Sequence, residues 1–354
     1  MDAYSEIPGE TITDAELDLS GADCDPIVAL GTIPQAGVVH TITANPAHFT
    51  GAREFRYLQS DIIDKNRSSN HLQGVQRFGK QILLTAADWT EPIAHLFIAD
   101  DDGAGNFRVT DVVALDRDRP HAGGFQRLGR LLVIPLEGAK NVDSRLVFLS
   151  IRDNGKIGFV GSNNGKALAI ERVGDTKAGA AAIAQFADGR LLVGTTFGAA
   201  GFLGLFNKRG FLDLYLSRSA DVRDGFLPHV RCDFKAARDY QSIHFFRPTR
   251  EPNGDQLIRV FGFRNTAQDS SNWFKGNNIV DLLELRIAAT LLDTWPTGPT
   301  PTISKLNQRE FKVGREDGNF AAAVGIDVSD TGHLALLCGH HWRRNNAFRF
   351  TVFE

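Results

Sequence analysis

The stretch His71-Leu72-Gln73-Gly74-Val75-Gln76-Arg77-Phe78-Gly79-Lys80 leads into the apolar run Gln81-Ile82-Leu83-Leu84. Fifty residues later, His121-Ala122-Gly123-Gly124-Phe125-Gln126-Arg127-Leu128-Gly129-Arg130 leads into Leu131-Leu132-Val133-Ile134. His, Gly, Gln, Arg and Gly recur in register, five identities in ten positions, which marks an internal repeat rather than a coincidence. Weaker copies follow. Residues 181–190 lead into Leu191-Leu192-Val193, Tyr240-Gln241-Ser242-Ile243-His244 precedes Gln256-Leu257-Ile258, and 323–332 lead into His333-Leu334-Ala335. The second strands then start at 80, 130, 190, 256 and 333, at intervals of 50, 60, 66 and 77 residues.

Each unit reads as apolar strand, glycine turn, apolar strand, loop, then one or two further strands. Asp188-Gly189, Asn253-Gly254 and Asn154-Gly155 mark tight hairpins. The further strands fall at 95–99 and 107–115 in the first unit and at 145–151 and 166–172 in the second. Val, Ile, Leu and Phe dominate them, as a sheet packed on both faces requires. Residues 178–186 have a composition a helix would accept, but their register with the repeat makes them a strand. Four short strands per unit resembles the β-propeller superfold. No specific family is recognised, because the units lack a recurrent Trp-Asp ending and an Asp-box.

The resemblance implies an all-β chain forming a single β-propeller. The units supply five blades, starting near 71, 121, 179, 239 and 319. The C-terminal blade has only three strands of its own, at 321–328, 333–338 and 347–353, so an N-terminal strand must complete it and remove the open edge. Residues 54–60, just ahead of the first repeat, are nominated for that part. Residues 1–50 are then an N-terminal arm and 51–354 the propeller. Six blades is the alternative, since 27–30 and 38–42 also read as strands; an array of β-sandwiches is the remaining one.

Composition narrows the functional classes. With 42% apolar and 23% charged residues over 354 positions, the chain is globular rather than disordered. A net charge of −3 speaks against a strongly basic nucleic-acid binder. No apolar run approaches the roughly 18 residues of a membrane span. The first twenty residues are acidic and lack the apolar core of a secretory signal. Cys24, Cys232 and Cys338 are odd in number and widely spaced, which suggests a reducing compartment; a cytoplasmic location is expected.

In a propeller, the starts of the innermost strands and the loops after the second strands crowd one mouth of the ring, where binding sites are commonly found. His71 and His121 each open an innermost strand. The loop after the last blade's second strand carries His340, His341, Trp342 and Arg343; the equivalent loops carry Trp89, Glu137 and Arg264. His71, His121, His340 and His341 have the chemistry of a divalent-metal site, with Glu137 beside them, although no short ligand motif accompanies them. The alternative is that the repeated histidines tie blade to blade. Gln76 and Gln126 sit five residues into their strands, and the aligned positions carry Ala184, His244 and Asp327. This polar ring could bind a ligand or hold water. His244 and Asp327 are its acid–base candidates. Gly74, Gly123, Gly124 and Gly325 are read as packing glycines where strands converge on the axis. The acidic run Asp100-Asp101-Asp102-Gly103 lacks calcium-loop spacing and is read as a solvated turn.

Together these residues suggest one asymmetric site for a small polar metabolite or sugar-like ligand. If the protein is an enzyme, His71, His121, His244 and Asp327 are its catalytic candidates, in chemistry of hydrolase, lyase or isomerase type. Gln76, Gln126, Trp89, Glu137, Arg264, Trp342 and Arg343 are the ligand-binding candidates. Non-catalytic alternatives are a protein-interaction platform, for which the Pro-rich stretch 295–301 is a candidate surface, and a lectin-like module.

Overall fold

The computed structural model describes residues 19, 24–44, 71–88, 93–103, 106–138, 143–175, 177–198, 210–234, 240–266, 276–313, 318–329, 331–340 and 347–354. A short helix α1 (Pro26–Thr32) comes first. Sequence reading made 27–30 a strand, but Asp25 accepts from the Ile27 and Val28 amides and Pro26 occupies the first turn, so cap and proline set a helix. Strand β1 (Val38–Ala44) follows.

The first blade is β2 (His71–Phe78), β3 (Gln81–Asp88), β4 (Ile93–Asp101) and β5 (Phe107–Asp116), paired antiparallel in chain order. In the second, the innermost strand is broken into β6 (His121–Ala122) and β7 (Gln126–Leu128), both on β8 (Leu131–Glu137). Next comes β9 (Ser144–Ile151), which carries β10 (Ile157–Phe159) and β11 (Ala169–Arg172) as a divided outer strand. The third blade is β12 (Ala180–Gln185), β13 (Leu191–Gly198), β14 (Gly210–Leu216) and β15 (Val230–Phe234). The fourth is β16 (Ser242–Phe245), β17 (Thr249–Arg250), β18 (Gln256–Asn265), β19 (Asn278–Ile287) and, beyond helix α2 (Ala289–Thr294), β20 (Thr302–Phe311). The last has β21 (Ala323–Val328), β22 (Leu334–Gly339) and β23 (Ala347–Phe353).

The chain is a β-propeller; its described strands fall into five antiparallel groups, the first and last of which are joined through β2 with β21 and β1 with β5. Side chains along a strand alternate between the two neighbouring seams. Leu84 packs with Ala323 and Leu337 of the last blade, whereas Leu83 packs with Leu132 and Ile134 of the second. Leu131 and Val133 turn to Ala181 and Ile183 of the third. Further clusters join the third blade to the fourth and the fourth to the last. Five apolar seams thus close the ring. Truncating a buried leucine at such a seam costs about 2–5 kcal/mol.

An N-terminal strand completes the last blade, as expected, but it is β1. Its residues pair antiparallel with β23 from Val38↔Val352 to Thr43↔Ala347, and its end touches β5 in parallel. It is drawn from before residue 51, where sequence reading began the propeller. The nominated segment 54–60 lies outside the described residues.

The glycines explain how the inner strands meet. A Cβ on Gly325 would stand 1.7 Å from the Val75 carbonyl oxygen; one on Gly124 would stand 2.1 Å from that of Gln241. Backbone fills the space a side chain would need. Gly79 and Gly129, at φ 57° and 56°, make the matching hairpin turns of the two best repeats. The Pro-rich stretch is less exposed than its composition suggests: Trp295 is buried and its Nε1 donates to the Pro228 carbonyl at 2.7 Å. Among the described residues no helix is long and apolar enough to cross a membrane.

Candidate functional site at the mouth of the ring

The mouth is the end at which innermost strands begin and second strands finish. There, His121 opens β6 directly across from Glu137 at the end of β8. Its Nδ1 lies 2.9 Å from Glu137 Oε2, and Lys177 Nζ reaches the same oxygen at 3.3 Å. The side chains of His121 and Glu137 are 15% and 11% exposed, so the pair is sheltered yet reachable, with Lys177 at the rim. Burial alone would raise the Glu137 carboxyl, but the charge and hydrogen bond of His121, joined by those of Lys177, bring it down to about 2. It is therefore an ionised carboxylate at neutral pH. A carboxylate 2.9 Å from Nδ1 favours the form of the ring that carries a proton on that nitrogen.

The repeat does not reproduce this pair. The cross-strand partner is Ala87 for His71 in the first blade, and the equivalent pairs are Ala180↔Thr196, Ser242↔Phe263 and Ala323↔Gly339 in the others. Among the described residues, only the second blade brings a histidine and a carboxylate together in this register.

Arg264, at the mouth end of β18, is committed within the fold. Its Nε meets Asp281 Oδ2 at 2.6 Å, Lys305 Nζ meets Oδ1 at 2.6 Å, and the Tyr240 hydroxyl donates to Oδ2 at 2.9 Å. Burial works to raise the Asp281 carboxyl, but these donors hold it below its ordinary value. Arg264 thus neutralises a buried aspartate, which leaves it poorly placed to meet a ligand anion.

The polar ring of Gln76, Gln126, His244 and Asp327 is stitched into the inner strands. Gln76 Nε2 donates to the Phe125 carbonyl at 2.9 Å. Gln126 Oε1 accepts from the Ile183 amide at 3.0 Å and the Phe245 amide at 2.9 Å, and its Nε2 donates to the Phe245 carbonyl at 2.9 Å. It pins three blades together at the axis. His244 Nε2 stands 3.1 Å from Gln126 Nε2; with the amide donating, the imidazole accepts. Burial, helped by the Arg127 charge, lowers His244 to about 3, so it is neutral. Asp327 lies at the far end of its strand beside Arg127, whose Nη2 is 3.4 Å away; burial raises its carboxyl despite the nearby guanidinium groups. Among the described residues no hydrogen bond joins His244 to Asp327. Each of these acid–base candidates contacts the second blade instead, His244 through Gln126 and Asp327 through Arg127.

His340 is buried, and its backbone amide donates to Arg349 at 2.8 Å. The side chain of His71, and all of Trp89, His341, Trp342 and Arg343, lie outside the described residues. Among the described residues no three His, Cys, Asp or Glu side chains come together to hold a metal ion. Sequence reasoning missed Lys177. Its signal is weak, a cation two residues before Gly179, where a Cβ would come within 3.8 Å of Glu137 Oε1. It also missed Asp281 and Asp213; Asp213 is the one charged residue of the otherwise apolar strand β14, whereas β19 also carries Glu284 and Arg286.

No family model matches the sequence, and no curated protein does. Solved structures do. A thermostable family-43 glycoside hydrolase matches at 10% identity, over 82% of this chain and 91% of that one, with a TM-score of 0.43. An alpha-L-arabinanase of Penicillium chrysogenum complexed with arabinobiose matches at 9% identity, over 80% and 93%, with a TM-score of 0.41. A glycosyl hydrolase of Bacteroides ovatus matches at 10% identity, over 81% and 85%, with a TM-score of 0.40.

Proposed function

We propose that the protein binds a small, polar, hydroxyl-bearing ligand at the mouth of the second blade, and that His121 exchanges a proton with it. The observation that carries this reading is the 2.9 Å contact between His121 Nδ1 and Glu137 Oε2 in a sheltered, reachable position. Glu137 orients the ring and stabilises the imidazolium that forms when Nε2 takes a proton. Lys177 supplies a cation at the rim that can meet developing negative charge.

The chemistry suited to this arrangement starts with a base: activation of water, or removal of a proton in an elimination or isomerisation. Cleavage of a glycosidic bond calls for a carboxylic acid that stays protonated near neutral pH opposite a second carboxylate. Glu137, at about 2, supplies only the ionised member of such a pair. Among hydrolase, lyase and isomerase readings, those that need one oriented base are therefore favoured.

The test is ligand-observed NMR with a panel of monosaccharides, uronic acids and aldonolactones, followed by turnover assays on whatever binds. His121→Asn and Glu137→Gln should each weaken binding or turnover by at least about tenfold, the scale of one lost charge-assisted hydrogen bond. Binding and turnover that survive both substitutions would overturn the assignment.

A further inference from the structure

A second concavity lies at the outer edge of the same end of the ring, in the cleft between the outer strand of the second blade and the outer half of the third, and its lining does not include His121, Glu137 or Lys177. It has a volume of about 450 Å³, and the end of β11 and the turn after it face Asp213, Tyr215, His229 and Arg231 across it. A neighbouring hollow of about 320 Å³ shares Glu171, Tyr215 and His229 with it, so the two form one groove. Such volumes fall in the range of about 300–1,000 Å³ that small-molecule sites occupy.

The floor of the groove is held rigidly. Arg172 is buried, and its guanidinium meets Ser144 Oγ at 3.0 Å, Asp213 Oδ2 at 2.9 Å, Tyr215 Oη at 3.0 Å, Asp175 Oδ2 at 2.8 Å and the Lys177 carbonyl at 3.2 Å. Arg231 grips the same Asp213 from the rim, at 2.7 and 3.0 Å, with its guanidinium 5.0 Å from the centre of the Phe211 ring. Tyr215 accepts from Arg172, so its phenolic proton is left to donate. The His229 ring lies 5.6 Å from the Tyr215 ring, and Val173, 84% exposed as a residue, adds an apolar rim.

Charge decides what fits. In the larger hollow two guanidinium groups, Arg172 and Arg231, face three carboxylates: Asp213 and Asp175, which they pair, and Glu171, which Arg145 and Arg119 meet at 2.6 and 3.7 Å, so each charge there is already met. An anionic guest would have to displace a carboxylate from Arg231, and a cationic guest would have to displace a guanidinium, each breaking a partly buried pair. A neutral molecule with many hydroxyl groups competes with neither. It can donate to carboxylate oxygens, accept from guanidinium and phenol donors, and lay its C–H face on the Tyr215 and His229 rings.

We propose that this groove is a second binding site, separate from the His121–Glu137 pair, for a neutral polyol such as a sugar or cyclitol. The experiment is isothermal titration and ligand-observed NMR on the full-length protein. The probes are glucose, galactose, xylose, maltose, cellobiose and myo-inositol, with glucuronate and glucosamine as charged controls. At least one neutral probe should bind. His229→Ala and Tyr215→Phe, at the rim and floor, should weaken it by about tenfold. His121→Asn, which disables the mouth, should leave that binding unchanged. His229 is exposed, so its replacement should leave the melting temperature where it was. Three results would each overturn the proposal: no neutral probe binds, binding survives both groove substitutions, or glucuronate or glucosamine binds more tightly than glucose. Loss of binding in His121→Asn alone would assign the ligand to the mouth and likewise overturn the groove site while sparing the proposed function.

Discussion

Replacing Glu137 with glutamine keeps the shape of the side chain and removes its charge, so it isolates what the His121–Glu137–Lys177 contacts contribute. The folded carboxyl lies at about 2 against an ordinary 4.5. Each unit of difference corresponds to about 1.4 kcal/mol, so the ionised form contributes about 3 kcal/mol when fully developed. The sign follows from the direction. The folded value is depressed, so the contribution is complete above the unfolded value and disappears as pH falls through the folded one. Linkage gives about 3 kcal/mol at pH 6 and about 1 kcal/mol at pH 3. Urea denaturation of the native protein and of Glu137→Gln across pH 3–6 reads the difference directly, because other titrating carboxylates contribute equally to both proteins. The gap between the curves should widen with rising pH by about 2 kcal/mol. A gap that is constant with pH would refute the reasoning, since Glu137 would then stabilise the fold by shape alone. Adding His121→Asn to both proteins should shrink the pH-dependent part, as two groups in contact are not additive.

Two further predictions concern the axis. Gly325→Ala would drive a methyl group into the Val75 backbone, which cannot move aside as a side chain can, so a loss of more than about 3 kcal/mol in thermal or urea unfolding is expected. Gly31→Ala in α1, where nothing lies within 4 Å of the new carbon, should be neutral or stabilising by up to about 1 kcal/mol. Gln126→Ala would orphan the Ile183 and Phe245 amides and should cost about 3 kcal/mol or more, whereas Gln185→Ala at the rim should stay within about 0.5 kcal/mol.

The repeated decapeptide was enough to establish the architecture. Register between His71 and His121 sets strand and turn positions, and alternation of apolar residues calls for a sheet covered on both faces. The need for a fourth strand in the last blade follows from the same counting. Which segment would supply it does not, because 38–42 and 54–60 both have the composition of an edge strand, and only pairing along β23 selects β1. The helix at 26–32 could have been read from Asp25-Pro26, a capping signal that four apolar residues in a row obscured.

The site was legible in part. Glu137 and His121 stand out singly, one as an acidic residue ending an apolar strand, the other as a repeated histidine. Their contact depends on a cross-strand register that the sequence implies only once the hairpin turn at Gly129 is placed. The polar ring shows how identical residue types acquire different roles. Gln76 and Gln126 look like channel-lining groups, yet both bond to backbone groups of neighbouring blades, where the glycines let the inner strands approach closely. The ion pairs around Asp281 and Asp213 were out of reach of sequence reasoning for a related reason. Arg264 and Lys305 flank Asp281 from the neighbouring strands of its own blade, and Arg231 flanks Asp213 likewise, so those contacts depend on cross-strand register, while Arg172 reaches Asp213 from the second blade across a seam. Local pattern thus determined the elements and their repeat. Tertiary packing alone decided which strand closes the ring, which charges neutralise one another in the seams, and which histidine of the repeated pair is known to face a carboxylate at the mouth.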